Sequence, residues 1–316
     1  MLIFLEENKD AEREEVMSKD LKKLGVLLGI MVLVIASGVL ATWGVGREKV
    51  RQKDSLQVVT SFYPMYIAVM NIIDGVEGVE LSNLTENQGG CLHDYQLTAA
   101  DMKKLEGADV LVINGGGMEH FLERIVEVYP GLTIIDASEG IETEDDNAHY
   151  WVDPERYKKQ LSNITEGLGS LDEKHRKGFV KNCEAYQAEV TRIEEKLLKA
   201  AEDFPEEKAV LFHDAFAYLA KRLGITIAYS IELEEDTSLN TGEIARIVDT
   251  VRAEGVRLLF TEKQFSDSIP AGISRETGAS ICVVDTLVSG EMERDAYLKG
   301  METNIEVIAQ CLQALE

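Results

Sequence analysis

Cysteine is scarce in this 316-residue chain. There are four, Cys91, Cys183, Cys282 and Cys311, and no C-x-x-C pair among them. That argues against a disulfide-dense scaffold and against a cysteine-based zinc site. No cysteine precedes Cys91, so an N-terminal cysteine to carry a lipid is not on offer. Basic residues are also few: 32 Lys plus Arg stand against 57 Asp plus Glu, a net charge of −25. So acidic a surface repels phosphate backbones, which argues against nucleic-acid binding. A G-x-x-x-x-G-K-[ST] loop is missing, so the chain is not a P-loop ATPase, and the H-E-x-x-H of a helical zinc hydrolase is missing too. Histidine is limited to five residues, few enough to weigh one by one.

What is present points to packed domains. Apolar residues make up 45% and charged residues 28%, which argues against a disordered or fibrous chain. The length suits two globular domains. Leu24 to Gly46 carries no charge. At about 1.5 Å per residue such a run crosses a bilayer core of roughly 30 Å. It exceeds the apolar region of a signal peptide, roughly 7–15 residues. A membrane anchor is therefore expected, with a cleaved export signal as the alternative. Lys19, Lys22 and Lys23 before it and Arg47, Lys49, Arg51 and Lys53 after it leave the positive-inside count undecided. A start at Met17 would replace the acidic leader by a short basic one, which favours a cytoplasmic N-terminus and an exported remainder. The expected divisions are a leader 1–23, an anchor 24–46, a tether 47–55, an N-terminal lobe 56–169, a linking helix 170–204 and a C-terminal lobe 205–316.

Along the exported part, strands are expected at Leu56–Thr60, Asp109–Asn114 and Thr133–Asp136, alternating with helices. Thr98-Ala99-Ala100-Asp101 reads as a capping box, and Gly115-Gly116-Gly117 leads into a helix. Asp153-Pro154 reads as a helix N-cap and first residue. Ser170-Leu171-Asp172-Glu173 reads as a second capping box. Behind it Phe179, Cys183, Tyr186, Val190, Ile193 and Leu197 form one apolar stripe of a helix running to about Asp203. A helix of that length spans roughly 50 Å and suits a brace between two domains. The rhythm then restarts with strands at Lys208–Phe212, Thr226–Tyr229, Arg257–Thr261 and Ser280–Val284, and a last helix over Arg294–Leu315. Strands alternating with helices predict an α/β fold of two Rossmann-like lobes with mostly parallel sheets.

Three histidines sit where a strand or loop hands over to a helix. His213 follows Ala-Val-Leu-Phe, at the carboxyl end of a strand, where open α/β sheets bind ligands. His149 lies just before the helix that starts at Pro154, and His93 before the Thr98 cap. Asp285 closes the strand Ile281–Val284. Three imidazoles and a carboxylate suit a tetrahedral zinc site. Each residue alone says little: a histidine beside a strand is more often surface or hydrogen-bonded, and an Asp at a strand end is more often a helix cap. His175, among Glu173, Lys174, Arg176 and Lys177, reads as a solvated residue of a charged helix face. His120, after the glycine run, is left open as part of an auxiliary metal site, as is the acidic stretch 142–146.

Taken together these stretches resemble the zinc-type (ZnuA-like) solute-binding proteins of metal ABC importers, within the TroA-like superfamily. The similarity covers nearly all of 56–316. It rests on Val58-Val59-Thr60-Ser61-Phe62-Tyr63-Pro64, Leu92-His93-Asp94-Tyr95 with Asp101, His149-Tyr150-Trp151-Val152-Asp153-Pro154, and Phe212-His213-Asp214-Ala215-Phe216-Ala217-Tyr218. Phe260-Thr261-Glu262-Lys263 and Val284-Asp285 complete it. The resemblance implies two α/β lobes joined by one long backbone helix, with the metal in the cleft between them. It implies His93 and His149 as ligands from the first lobe, and His213 and Asp285 from the second. Glu262 would stand behind a histidine and orient it. Manganese and iron members usually carry Glu at the third position, so His213 implies zinc, in keeping with the preference of imidazole for Zn²⁺ and of oxygen donors for Mn²⁺.

Departures from the pattern are Leu92 and Gln96 around the first motif, Thr286 where proline is usual, and a short acidic stretch, 142–146, in place of a histidine-rich loop. The implied function is capture of Zn²⁺ outside the membrane by a monomer, and delivery to a membrane permease served by a separate ATPase subunit. The alternatives are a manganese-binding member of the same class, a metal-dependent surface adhesin and, most remote, a zinc hydrolase using Glu262 as base. Outside the cytoplasm, Cys282 and Cys311 suit either a disulfide or two buried thiols.

Overall fold

The computed structural model describes residues 55–85, 92, 95–202, 204, 206–231, 239–263 and 268–315. The expected leader and anchor, and His93, lie outside the described residues. Among the described residues no helix is long and apolar enough to cross a membrane.

The first lobe holds a parallel sheet of β1 (Leu56–Thr60), β2 (Val79–Asn83), β3 (Val110–Ile113) and β4 (Thr133–Asp136), in the order β2-β1-β3-β4. Its helices are α1 (Tyr63–Ile72), α2 (Ala99–Glu106), α3 (Leu122–Val128) and α4 (Pro154–Leu171). The second lobe repeats the order: β5 (Lys208–Leu211), β6 (Thr226–Ser230), β7 (Leu258–Glu262) and β8 (Ser280–Val284) pair as β6-β5-β7-β8, all parallel. Between the two sheets runs α5 (Arg176–Ala201), packed on α1 and α4. The second lobe adds α6 (Ala217–Arg222), α7 (Thr241–Glu254), α8 (Ser268–Thr277) and α9 (Ala296–Gln313), and α9 also packs on α5.

Alternation along the second sheet builds two cores. Ala209, Leu211, Leu258, Phe260, Cys282 and Val284 join the main core, which is continuous with the first lobe and α5. Val210, Phe212 and Leu259 point the other way, into a smaller core with Ile247, Val248 and Val251 of α7. Successive strand residues face opposite sides, and a parallel sheet covered on both sides turns that period into two hydrophobic layers.

Local signals behave as their chemistry requires. Thr98 and Asp101 form the reciprocal capping box, and Asp153 caps α4 with Pro154 in its first turn. Ser170 does not cap a helix: α4 runs through it to Leu171, and α5 starts five residues later at Arg176 with no side-chain cap. Its 26 residues span roughly 39 Å rather than 50 Å. The whole predicted apolar stripe is buried. β2 is absent from the sequence reading because Val-Glu-Leu-Ser-Asn is a half-buried edge strand without a hydrophobic run. Cys282 of β8 and Cys311 of α9 are joined by a disulfide, their Cα atoms 5.9 Å apart.

Candidate metal centre

In both sheets the strand order reverses between the first and third strands. The crevice outside the carboxyl ends at that point is where open α/β sheets hold ligands. In the second lobe β5 and β7 meet there. Phe212 continues β5 through a backbone hydrogen bond to Phe260, 2.9 Å, so His213 emerges beyond the strand end. Glu262 ends β7. Its Oε2 lies 2.7 Å from Nδ1 of His213, and its Oε1 accepts from the hydroxyl of Thr286. Both side chains are buried. A carboxylate accepts only, so Nδ1 of His213 carries the proton and Nε2 presents a lone pair.

The first lobe supplies its histidine differently. His149 stands before a short 3-10 turn, Tyr150–Val152, in the connection after β4. Its backbone N–H and its Nδ1 both face Oδ1 of Asn147, at 2.9 and 3.0 Å. The Asn147 amide in turn donates to the carbonyl of Asp214, 2.7 Å, so it ties the two lobes together beside the histidines. Asn114, just past β3, donates to the carbonyl of Ala148 and accepts from Gln160. Its backbone N–H and that of Gly115 are held by the buried carboxylate of Glu119, at 2.7 and 3.1 Å. Burial pushes that carboxyl up to about 7, against the pull of the two amides. Gly116 has φ +64, and a Cβ there would lie 2.2 Å from the hydroxyl of Tyr150, so the turn closes on the His149 segment only with glycine.

The imidazoles of His149 and His213 meet edge to face with centroids 4.9 Å apart, and both are buried. Asp214 joins them. Its Oδ1 lies 3.6 Å from Nδ1 of His149 and 3.6 Å from Nε2 of His213. One donor atom from each of the three lies within 4.8 Å of the others, a set able to hold a metal ion. The Asp214 contact on His149 falls at the Nδ1 that also faces Asn147, so Asp214 stands beside the two imidazoles on the side of that hydrogen bond.

Asp285 is not in the group. It stands just past β8, and its Oδ1 accepts from the N–H of Leu287, 2.8 Å, while Asn304 of α9 holds its backbone on both sides. It lines a cavity of about 230 Å³ with Tyr63, Ile67 and Tyr297. Burial, reinforced by the carboxylates of Asp285, Glu291 and Glu293, pushes the Tyr63 hydroxyl up to about 12. Asp214 was missed as a candidate because its place directly after His213 reads as a helix start. It does open a 3-10 turn, Asp214–Phe216.

The remaining residues fall away from this centre. His120 is exposed in the turn before α3. His175 is not a solvated face residue; it is half-buried at the α5 N-terminus, with Nδ1 2.6 Å from Asp172. The acidic stretch 142–146 exposes Glu142, Asp145 and Asp146. Glu144 pairs with Arg156 at 2.7 Å and with Lys221 of the second lobe, and those cations hold its carboxyl below the usual range, the Lys221 contact first. Below the site Asp153 and Arg222 form a two-point ion pair across the lobes, at 3.0 and 3.1 Å, with Glu194 of α5 beside the arginine at 3.5 Å.

The family model for zinc-uptake complex component A, periplasmic (ZnuA), matches residues 58–311. The iron-binding protein YfeA of Yersinia pestis is 26% identical over 80% of this chain and 85% of its own length. The high-affinity zinc uptake system protein ZnuA of Bacillus subtilis is 25% identical over 95% of this chain and 98% of its own. Among solved structures, the solute-binding protein FpvC of Pseudomonas aeruginosa in complex with Mn²⁺ superposes with a TM-score of 0.76 at 23% identity, covering 83% of this chain and all of that one.

Proposed function

From the premise that this chain belongs to the zinc-uptake complex component A family, the solute-binding class of ABC importers, we propose that it captures Zn²⁺ outside the membrane and delivers it to a permease. The observation that carries this reading is the pair of buried imidazoles, one from each lobe, with the Nδ1 of each facing an acceptor oxygen. A metal held between them links the lobes. The proposed ligands are His93, His149, His213 and Asp285, with Glu262 behind His213. The spacing of Asp214 favours a second reading in which it supplies the carboxylate instead. In either set, three neutral imidazoles and one carboxylate leave a net charge of about +1 and close the coordination sphere, which suits holding rather than hydrolysis. Imidazole donors favour zinc over manganese. Residues 24–46 are the proposed anchor, and the permease and its ATPase are separate chains.

Metal content decides between these readings. The full chain is stripped with chelator, offered equimolar zinc and manganese, and analysed by mass spectrometry. One zinc per chain, lost in His213→Ala, supports the proposal. Manganese in its place keeps the transport role and overturns the metal. No retained metal overturns the site. Asp214→Asn and Asp285→Asn, run in parallel, identify the carboxylate by which of them loses zinc. A surface adhesin would show no zinc-reversible growth defect on deletion.

A further inference from the structure

Thr286 belongs to no proposed ligand set, yet it meets the residues behind both histidines. Its carbonyl accepts from Nε1–H of Trp151 at 2.7 Å. Trp151 lies two residues beyond His149, and the two rings stand 5.3 Å apart. Its hydroxyl donates to Oε1 of Glu262, whose Oε2 faces Nδ1 of His213. Thr286, Trp151 and Glu262 are at most 3% exposed. One side chain of the second lobe therefore contacts the His213 partner directly, while its backbone receives the first lobe.

We propose that Thr286 is a positioning residue: its hydroxyl holds the Glu262 carboxylate in the plane that keeps Nδ1 of His213 protonated and Nε2 aimed at the metal. This rests on the reading of His213 as a ligand. The terminal torsion of a glutamate is broad, so one hydrogen bond to an imidazole leaves the carboxylate free to turn. A second donor on the opposite oxygen removes that freedom. Metal-bound histidines depend on such outer partners for ring orientation and basicity. The Trp151 bond adds a coupling, since the backbone that carries the hydroxyl is anchored to the segment presenting His149. Proline at this position would keep the carbonyl and lose the hydroxyl.

The test compares the full-length wild type with Thr286→Val, which keeps the shape and deletes the donor, and with Thr286→Ser, which restores it. The first readout needs no metal: the side-chain ¹⁵N–¹H signal of Nδ1 of His213, assigned by its loss in His213→Ala. The second is zinc affinity by chelator competition at neutral pH. Expected is loss or broadening of the Nδ1–H signal in the valine variant and about tenfold weaker zinc, the low end of what an outer partner contributes. Serine should recover both. A valine variant that keeps the signal and the affinity overturns the proposal, as does a serine variant that fails alongside it. If valine prevents folding, Thr286→Ala deletes the same hydroxyl without bulk and is read in the same way. Should the wild type bind no zinc, the metal reading fails, while the Nδ1–H comparison still decides on the hydroxyl.

Discussion

The two lobes share a strand order but fill the same crevice with different chemistry. At the second lobe's crossing point a histidine stands at the strand end, and a carboxylate on the neighbouring strand holds it. At the first lobe's crossing point stand Asn114 and, behind it, buried Glu119, which hold backbone; the histidine arrives on a loop from beyond β4 and is held by a neutral amide two residues away. Topology supplies the place, and side chains decide whether it presents a buried imidazole or holds backbone. The difference also separates a charged, long-range partner from a neutral, local one. A carboxylate raises the basicity of its imidazole more than an amide does.

The largest expected effect erases the comparison. His213→Ala and His149→Ala should each lower zinc affinity by at least about 100-fold, measured by chelator competition, because each removes a proposed ligand that nothing else replaces. Equal, small losses would mean that neither histidine binds the metal. Replacing the partners sharpens the contrast. Glu262→Gln should weaken zinc by about 10- to 100-fold, and Asn147→Ala by less than about tenfold. A reversed order would show that charge behind the imidazole is not what separates the lobes.

The lobes also meet through Asp153 and Arg222. Arg222→Met strips the two-point partner from a buried carboxylate and should cost about 1–3 kcal/mol of stability by denaturant titration. Affinity should change little if the metal itself holds the lobes. The smallest effect concerns Glu119. Its folded-state value, about 7, lies above the ordinary 4.5, so the folded chain holds the extra proton between those values. Its contribution to stability is therefore full below that window and is lost as pH rises through about 7. In Glu119→Gln the fall in melting temperature between pH 5 and 8 should flatten. An unchanged slope would show that this carboxyl does not titrate there.

The legible parts of the fold are those with strong local signals. Leu56–Thr60, Thr133–Asp136 and Ser280–Val284 are strands with the expected bounds, because short apolar runs between turn residues have few alternatives. The α5 stripe was equally plain, since its period is that of a helix. Its start differs from the expected one because Ser170 has the residue type of a cap but lies inside α4. Glu80 and Ser82 masked β2 for the opposite reason: an edge strand needs no hydrophobic run. At the site, His149 and His213 could be picked out from strand-end and loop-end positions, whereas Asn147, Asp214 and Thr286 carried no such mark. Their importance comes from what faces them across the cleft.

The sequence by itself determined the two α/β lobes, the bracing helix, the acidic surface and the histidines worth suspecting. These follow from period, capping chemistry and composition, all of which act over a few residues. Only the tertiary structure decided which carboxylate stands beside the histidines, which one turns to its own loop, and that Glu262 and Thr286 form one chain of hydrogen bonds behind His213. The contacts behind His213 join residues 24 and 49 positions apart, and Asp214 reaches His149 across 65. No local pattern encodes such distances, because they exist only once both sheets have packed around the same cleft.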